Sequence, residues 1–142
     1  MNARSFLLAV TLFAIALSTN ADSIFDSVAE FSGTQGQDNW YYGYYDGDNA
    51  SPFTSSDFEE MPQFINDNQW IIHRGDPTGY WTTLSASGGH PNGPVGNYYQ
   101  DTEHWAVRRW VSDVAGTLQI EGNLSKSSTF GDGTINNVFV PH

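Results

Sequence analysis

The chain has 142 residues, sixteen of them acidic and five basic, for a formal net charge of −11. That length suits one domain behind a short leader. The charge works against docking on nucleic-acid phosphates or anionic lipid and is compatible with neutral ligands or divalent cations. There is no cysteine, so no disulfide supports the fold, and aromatic residues make up 15% of the chain.

Residues 1–4 (MNAR) carry one positive charge, residues 6–17 (FLLAVTLFAIAL) are apolar apart from Thr11, and residues 18–21 (STNA) are small or polar. A basic start, an apolar run and a small-residue exit are the three parts of a secretory signal. The run is too short to span a bilayer, which takes about 20 residues. Residues 1–21 are therefore expected to be a signal peptide. Cleavage would follow Ala21, with Thr19 at −3, or Ser18, with Ala16 there. A retained anchor or a buried helix is the structural alternative. Loss of the leader removes Arg4 and leaves four basic against sixteen acidic residues, a net −12. No second apolar stretch follows, so the exported chain is expected to be soluble, with no membrane span.

In chain order, residues 22–30 (DSIFDSVAE) fit one or two helical turns or an entry strand. Residues 40–45 (WYYGYY) read as an aromatic strand between Asp and Gly breaks. Residues 57–65 (DFEEMPQFI) fit a helical turn that Pro62 interrupts. After a polar Asn-Asp-Asn-Gln turn, residues 70–74 (WIIHR) predict a strand, and residues 80–84 (YWTTL) predict the next.

Residues 85–104 are rich in Gly and Pro and read as a long loop, functional or a crossover between sheets. Residues 105–113 and 117–124 read as an amphipathic hairpin. On its first strand Trp105, Val107, Arg109 and Val111 share the face expected to point inward, which would bring Arg109 near the core. The second strand alternates Leu118, Ile120 and Leu124 with polar neighbours. Residues 135–140 (INNVFV) predict a last strand, and Pro141-His142 stops it without a return strand, as in a truncated domain.

Short strands separated by Gly, Pro and Asn predict an all-β fold over residues 22–142, an antiparallel β-sandwich of jelly-roll type. Residues 108–112 (RRWVS), 115–122 (AGTLQIEG) and 131–133 (GDG), with the earlier 35–44 (QGQDNWYYGY), carry a resemblance. The chain resembles, over roughly residues 30–140, a β-sandwich module of secreted bacterial proteins, including those with a PEP-CTERM sorting anchor. The resemblance implies a jelly-roll or galactose-binding-like sandwich without catalysis, associated with carbohydrate or matrix. No apolar anchor follows here, a departure from the sorted members.

The candidate site residues are mostly aromatic. In a strand, Trp40, Tyr42 and Tyr44 face one way and Tyr41 and Tyr45 the other. One row can form a platform for the C–H faces of a sugar while the other packs inside, or both can be buried. Tyr80, Trp81, Tyr98 and Tyr99 are further carbohydrate-binding candidates; the last two lie in the long loop. Asp46, Asp48 and Asp132 sit on Gly-rich turns and offer oxygen ligands to calcium, although one short acidic turn supplies too few of the six to eight oxygens required. His73, His90 and His104 show no metal-site spacing. Glu59, Glu60, Asp101 and Glu103 would be the carboxyls of a glycan-active enzyme. EF-hand, Walker and nucleophile-elbow motifs are absent. Asn49-Ala50-Ser51 and Asn123-Leu124-Ser125 match the N-glycosylation pattern, which matters only in a eukaryotic secretory pathway.

The expected function is a secreted, non-catalytic module that binds a glycan or a cell-surface or matrix component. The alternatives are a matrix protein without a small ligand and a small glycan-active enzyme.

Overall fold

Alternating aromatics make residues Trp40–Asp46 (β1) a strand that buries rings on both faces. Its entry is a tight 3-10 turn, Gln37–Asn39, preceded by Gly36 at φ 78°. Asp38 and Asn39, at φ 51° and 64°, hold the left-handed backbone that these short polar side chains tolerate. The structure is a computed structural model that describes residues 23–46, 54–72, 82–92, 103–113, 115–123, 125–126, 138 and 140.

The described chain is all-β, in two antiparallel sheets. The strands after β1 are Glu59–Glu60 (β2), Gln63–Ile65 (β3), Gln69–Ile71 (β4), Thr83–Ser85 (β5), Gly88–His90 (β6) and His104–Trp110 (β7). One sheet has the order β2-β1-β7 and the other is the meander β3-β4-β5-β6. β1 and β7 pair along their whole length, from Trp40 opposite Trp110 to Asp46 opposite His104. A single bridge, Asn92 with His104, ties the chain beyond β6 to the start of β7. Among the described residues no helix is long and apolar enough to cross a membrane.

Both sheets supply the core. Tyr42, Met61, Trp70, Ile72 and Leu84 are buried together, with Phe31, Trp40, Tyr44, Phe64 and Ala106 packed against them. The Tyr42 and Trp70 rings stack 5.8 Å apart, 16° from parallel. Their polar ends converge on one loop residue: the Ser32 amide donates to Tyr42 Oη at 3.2 Å, and Trp70 Nε1 donates to the Ser32 carbonyl at 2.8 Å. The Gln35 side chain takes the place of a neighbouring strand, accepting from Tyr42 N at 2.8 Å and donating to the Tyr42 carbonyl at 2.7 Å. These polar groups of Tyr42, Trp70 and Gln35 are thus paired, which avoids their desolvation cost, whereas Thr82 Oγ1 and Trp110 Nε1 are buried without a hydrogen-bond partner.

Several expectations are corrected. Residues 117–123 form no strand and are exposed, so the 105–113/117–124 hairpin is absent, and β7 pairs with the distant β1. The inward face of β7 is the reverse of the one expected. Because β1 places buried Tyr42 opposite Arg108, the even residues Ala106 and Arg108 turn to the core side and Arg109 is exposed. The helical turn expected over 57–65 is only a 3-10 turn at Ser55–Asp57, followed by β2 and β3. The loop read over 85–104 contains β6. The strand at 70–74 runs Gln69–Ile71, and that at 80–84 runs Thr83–Ser85. Of the segment 22–30, the described residues 23–30 contain one turn, at 27–30, where the Glu30 amide donates to the Asp26 carbonyl at 2.9 Å. Of the strand expected at 135–140, only Val138 and Val140 are described, both exposed and outside any strand.

Gly43 is the tightest point of β1. A Cβ there would meet the Glu59 carbonyl oxygen and, at 2.5 Å, the Phe58 ring. Gly43→Ala should therefore cost about 2–4 kcal/mol, as an overpacked core site does, and lower the thermal midpoint.

Burial pushes the Tyr42 phenol above its ordinary pKa of 10.0. The stabilisation this reflects is present below pH 10.0, where both folded and unfolded phenols keep their proton. It is lost as pH rises through the higher folded value. Stability followed by tryptophan fluorescence should fall above pH 10, and less steeply in Tyr42→Phe. Equal slopes in the two proteins would refute this assignment.

Candidate functional site

Two hairpin turns lie side by side at one end of the four-stranded sheet. The first joins β3 to β4, with Asn66 and Asp67 at φ 51° and 56° and the Asn68 amide donating to the Ile65 carbonyl at 3.2 Å. The second, Ala86-Ser87, joins β5 to β6. They are neighbours because β4 and β5 pair with Gln69 opposite Ser85. Between them is an open depression of about 340 Å³ lined by Asn68, Gln69, Ser85, Ala86 and Ser87. The lining is neutral: two carboxamides, two hydroxyls and one methyl. Such groups donate and accept hydrogen bonds without charge, as ligand hydroxyls require.

Arg108 supports this end from inside. Its guanidinium donates to the Ser85 and Ala86 carbonyls at 2.5 and 3.1 Å. It also donates to the Ser27 carbonyl and hydroxyl at 2.9 and 3.1 Å, and lies 5.8 Å from the centre of the Phe31 ring. Burial lowers its pKa, and the nearby Tyr42 opposes that shift; arginine nevertheless stays protonated at neutral pH. Arg108 is half-buried, and a cation drawn partly out of water must be compensated; here dipoles and a π face do so. The β5–β6 turn is thereby held to β7 and to the turn at residues 27–30.

Of the row expected as an aromatic platform, Tyr42 turns into the core. Tyr42 is 0% exposed and cannot stack on a ligand. Trp40 and Tyr44 are half-buried against the core, with Trp40 Nε1 donating to Glu30 at 2.7 Å and Tyr44 Oη donating to Glu59 at 2.5 Å. On the opposite face Tyr45 is 1% exposed and edge-on to Trp105. Each row thus contributes one fully buried ring to packing. Tyr80, Trp81, Tyr98 and Tyr99 lie outside the described residues.

Asp46 ends β1 opposite His104, whereas Asp48 and Asp132 lie outside the described residues. Among the described residues no group of three His, Asp or Glu is placed to hold a metal ion. His104 is buried edge-on to Tyr44 and His90 is exposed; His73 and Asp101 lie outside the description. Glu59 and Glu103 serve as acceptors for Tyr44 and Trp105, and Glu60 is exposed on β2. Asn123 is exposed, and the sequon at residues 49–51 is outside the description.

Sequence reasoning treated Asn68 and Gln69 only as part of a polar turn and Ser85 and Ser87 as loop. A second polar turn one strand away was the available signal, but only strand register makes the two adjacent. Comparison of the chain with known protein families, curated proteins and solved structures finds no match.

Arg108→Met keeps the stem and removes the donors. It should destabilise the fold by about 3 kcal/mol, since hydrogen bonds to charged groups contribute about 1.5–3 kcal/mol each and do not simply add. Arg108→Lys should recover only part of this, because an ammonium cannot span acceptors on both segments. Thermal denaturation with circular dichroism measures both effects; full recovery by lysine would rule out the forked role.

Proposed function

We propose that the protein is a secreted, non-catalytic recognition module whose described sheets belong to a jelly-roll-like sandwich, and that it binds a neutral carbohydrate. The observation that carries this reading is the uncharged depression between the two hairpin turns. Its volume of about 340 Å³ falls at the lower end of the range for small-ligand sites, about 300–1,000 Å³. Carboxamides and hydroxyls are suited to the hydroxyls of a sugar, and backbone supported by Arg108 reduces the ordering cost of binding.

Secretion rests on the signal-like first 21 residues. The strong negative charge disfavours phosphorylated or sulfated glycans and nucleic acids. The resemblance to secreted bacterial sandwich modules is in keeping with this reading, but the proposed site differs. It lies on polar turn residues and leaves Tyr42 in the core, with Trp40 and Tyr44 half-buried against it. Burial of Tyr42 within that row also favours the second reading, a matrix protein without a small ligand.

A glycan array on the exported chain, followed by calorimetry, separates the two. Binding of a neutral glycan should weaken at least tenfold, about 1.4 kcal/mol, in Asn68→Ala/Gln69→Ala. Tyr44→Phe should bind unchanged. Folded protein silent across the array would remove the carbohydrate reading and leave the matrix one; glycan binding indifferent to the double substitution would overturn the assignment to this depression.

A further inference from the structure

Most polar groups around the depression are unused by the protein. Among the described residues, none bonds to the Asn68 or Gln69 carboxamide, to the Ser87 hydroxyl, or to the backbone amides of Ala86 and Ser87. Of the lining side chains only Ser85 is engaged, its hydroxyl donating to the Gly88 carbonyl at 3.3 Å.

The two free amides belong to peptide units that a cation already holds. The Ser85 carbonyl shares a peptide unit with the Ala86 N–H, and the Ala86 carbonyl shares one with the Ser87 N–H. Arg108 donates to both carbonyls, at 2.5 and 3.1 Å. A cation at the oxygen draws electron density through the resonant C–N bond and leaves the N–H more positive. Hydrogen bonds chained in this way strengthen one another by about 10–30%. The charge of half-buried Arg108 is thus passed to two donors on the depression, one on half-buried Ala86 and one on exposed Ser87.

Those donors call for a ligand oxygen that accepts and has no proton of its own to place. A carboxylate qualifies, but sixteen acidic residues against five basic ones repel anions. A neutral amide oxygen, with two lone pairs and no proton, qualifies without that penalty. The rest of the lining matches the rest of such a group. The Ala86 methyl adjoins both donors by covalent attachment. The carboxamides, which can accept as well as donate, lie across from it: Gln69 faces Ser85 in register, a Cβ separation of about 4.5–5.5 Å. We propose that the depression recognises the acetamido group of a neutral 2-acetamido sugar. Its carbonyl oxygen accepts from the Ala86 and Ser87 amides, its methyl rests on Ala86, and its N–H donates to the carboxamide oxygen of Asn68 or Gln69. This rests on the carbohydrate reading and narrows it to one class of sugar. A hydroxyl in place of the acetamido group brings neither the methyl nor the amide proton.

The test is an array of matched neutral glycans that differ only in carrying acetamido or hydroxyl at C2, such as trimers of N-acetylglucosamine and of glucose. Calorimetry then follows on the leading pair, with the exported chain. The acetamido member should bind at least about tenfold more tightly. Ala86→Pro removes one donor and keeps the carbonyl that Arg108 holds. The turn accommodates it, because Ser85 is on β5 and so already extended, and the Ala86 φ is not left-handed. This variant should narrow the preference at least about threefold, whereas Ser87→Ala, which keeps its amide, should leave the ratio unchanged. Nuclear magnetic resonance of the unmodified chain needs no variant to fold: the Ala86 and Ser87 amide protons should move downfield with the acetamido trimer and not with the glucose trimer. Equal binding of both members of each pair overturns the acetamido assignment and leaves the carbohydrate reading standing. A preference for acetamido without a shift of those two amides overturns its placement at this turn. Silence toward every glycan overturns both readings.

Discussion

Arg108 reaches from β7 to the Ser27 carbonyl and hydroxyl on one side and to the Ser85 and Ala86 carbonyls on the other. No other side chain described here links the turn at residues 27–30, β7 and the β5–β6 turn. Burying a cation costs free energy unless its donors are paired, so the acceptors around it are under strong constraint. Neutral carbonyls compensate the charge without adding a second ion. They also set the backbone of the β5–β6 turn, one wall of the polar depression. The same residue therefore connects the stability of the fold to the shape of its candidate site.

Around this centre the molecule relies on aromatic packing. With no cysteine in the chain, rings supply the large buried areas. Phe31, Tyr42, Phe64 and Trp70 form a run of contacts between the two sheets, with centroid separations from 4.8 to 6.1 Å. Three of their polar handles are hydrogen-bonded: Tyr42 and Trp70 meet at Ser32, and Trp40 is held by Glu30. Gly43 complements the rings, since its missing side chain lets Phe58 lie on the strand, where Arg109 covers it. Aromatic residues that look like a ligand platform on a linear reading are the means by which a small chain without disulfides holds its sheets together.

The strands were legible where local pattern is strong. The aromatic run at 40–45, the apolar segment beginning at Trp70 and the amphipathic segment from Trp105 all lie on strands, offset by one to three residues at their ends. The short β2 and β3 were missed because Pro62 and the nearby acidic residues imitate an interrupted helical turn. The site was less legible still. Asn68, Gln69, Ser85 and Ser87 carry no motif, and their relation depends on Gln69 lying opposite Ser85.

By itself the sequence determined the class of structure. Alternation, β-branched and aromatic residues and turn formers dictate strands, and the absence of cysteine dictates a core held by rings. Only the tertiary structure decided which faces those strands bury. A strand's period of two leaves either face free to point inward, and pairing selects between them. Pairing with β1 turned Ala106 and Arg108 inward and left Arg109 outside. The same choice gave β7 a partner some sixty residues away in the chain and left the alternating residues 117–123 exposed. Local propensity marks a segment as a strand, but the choice of partner depends on the long-range burial gained by the whole sheet.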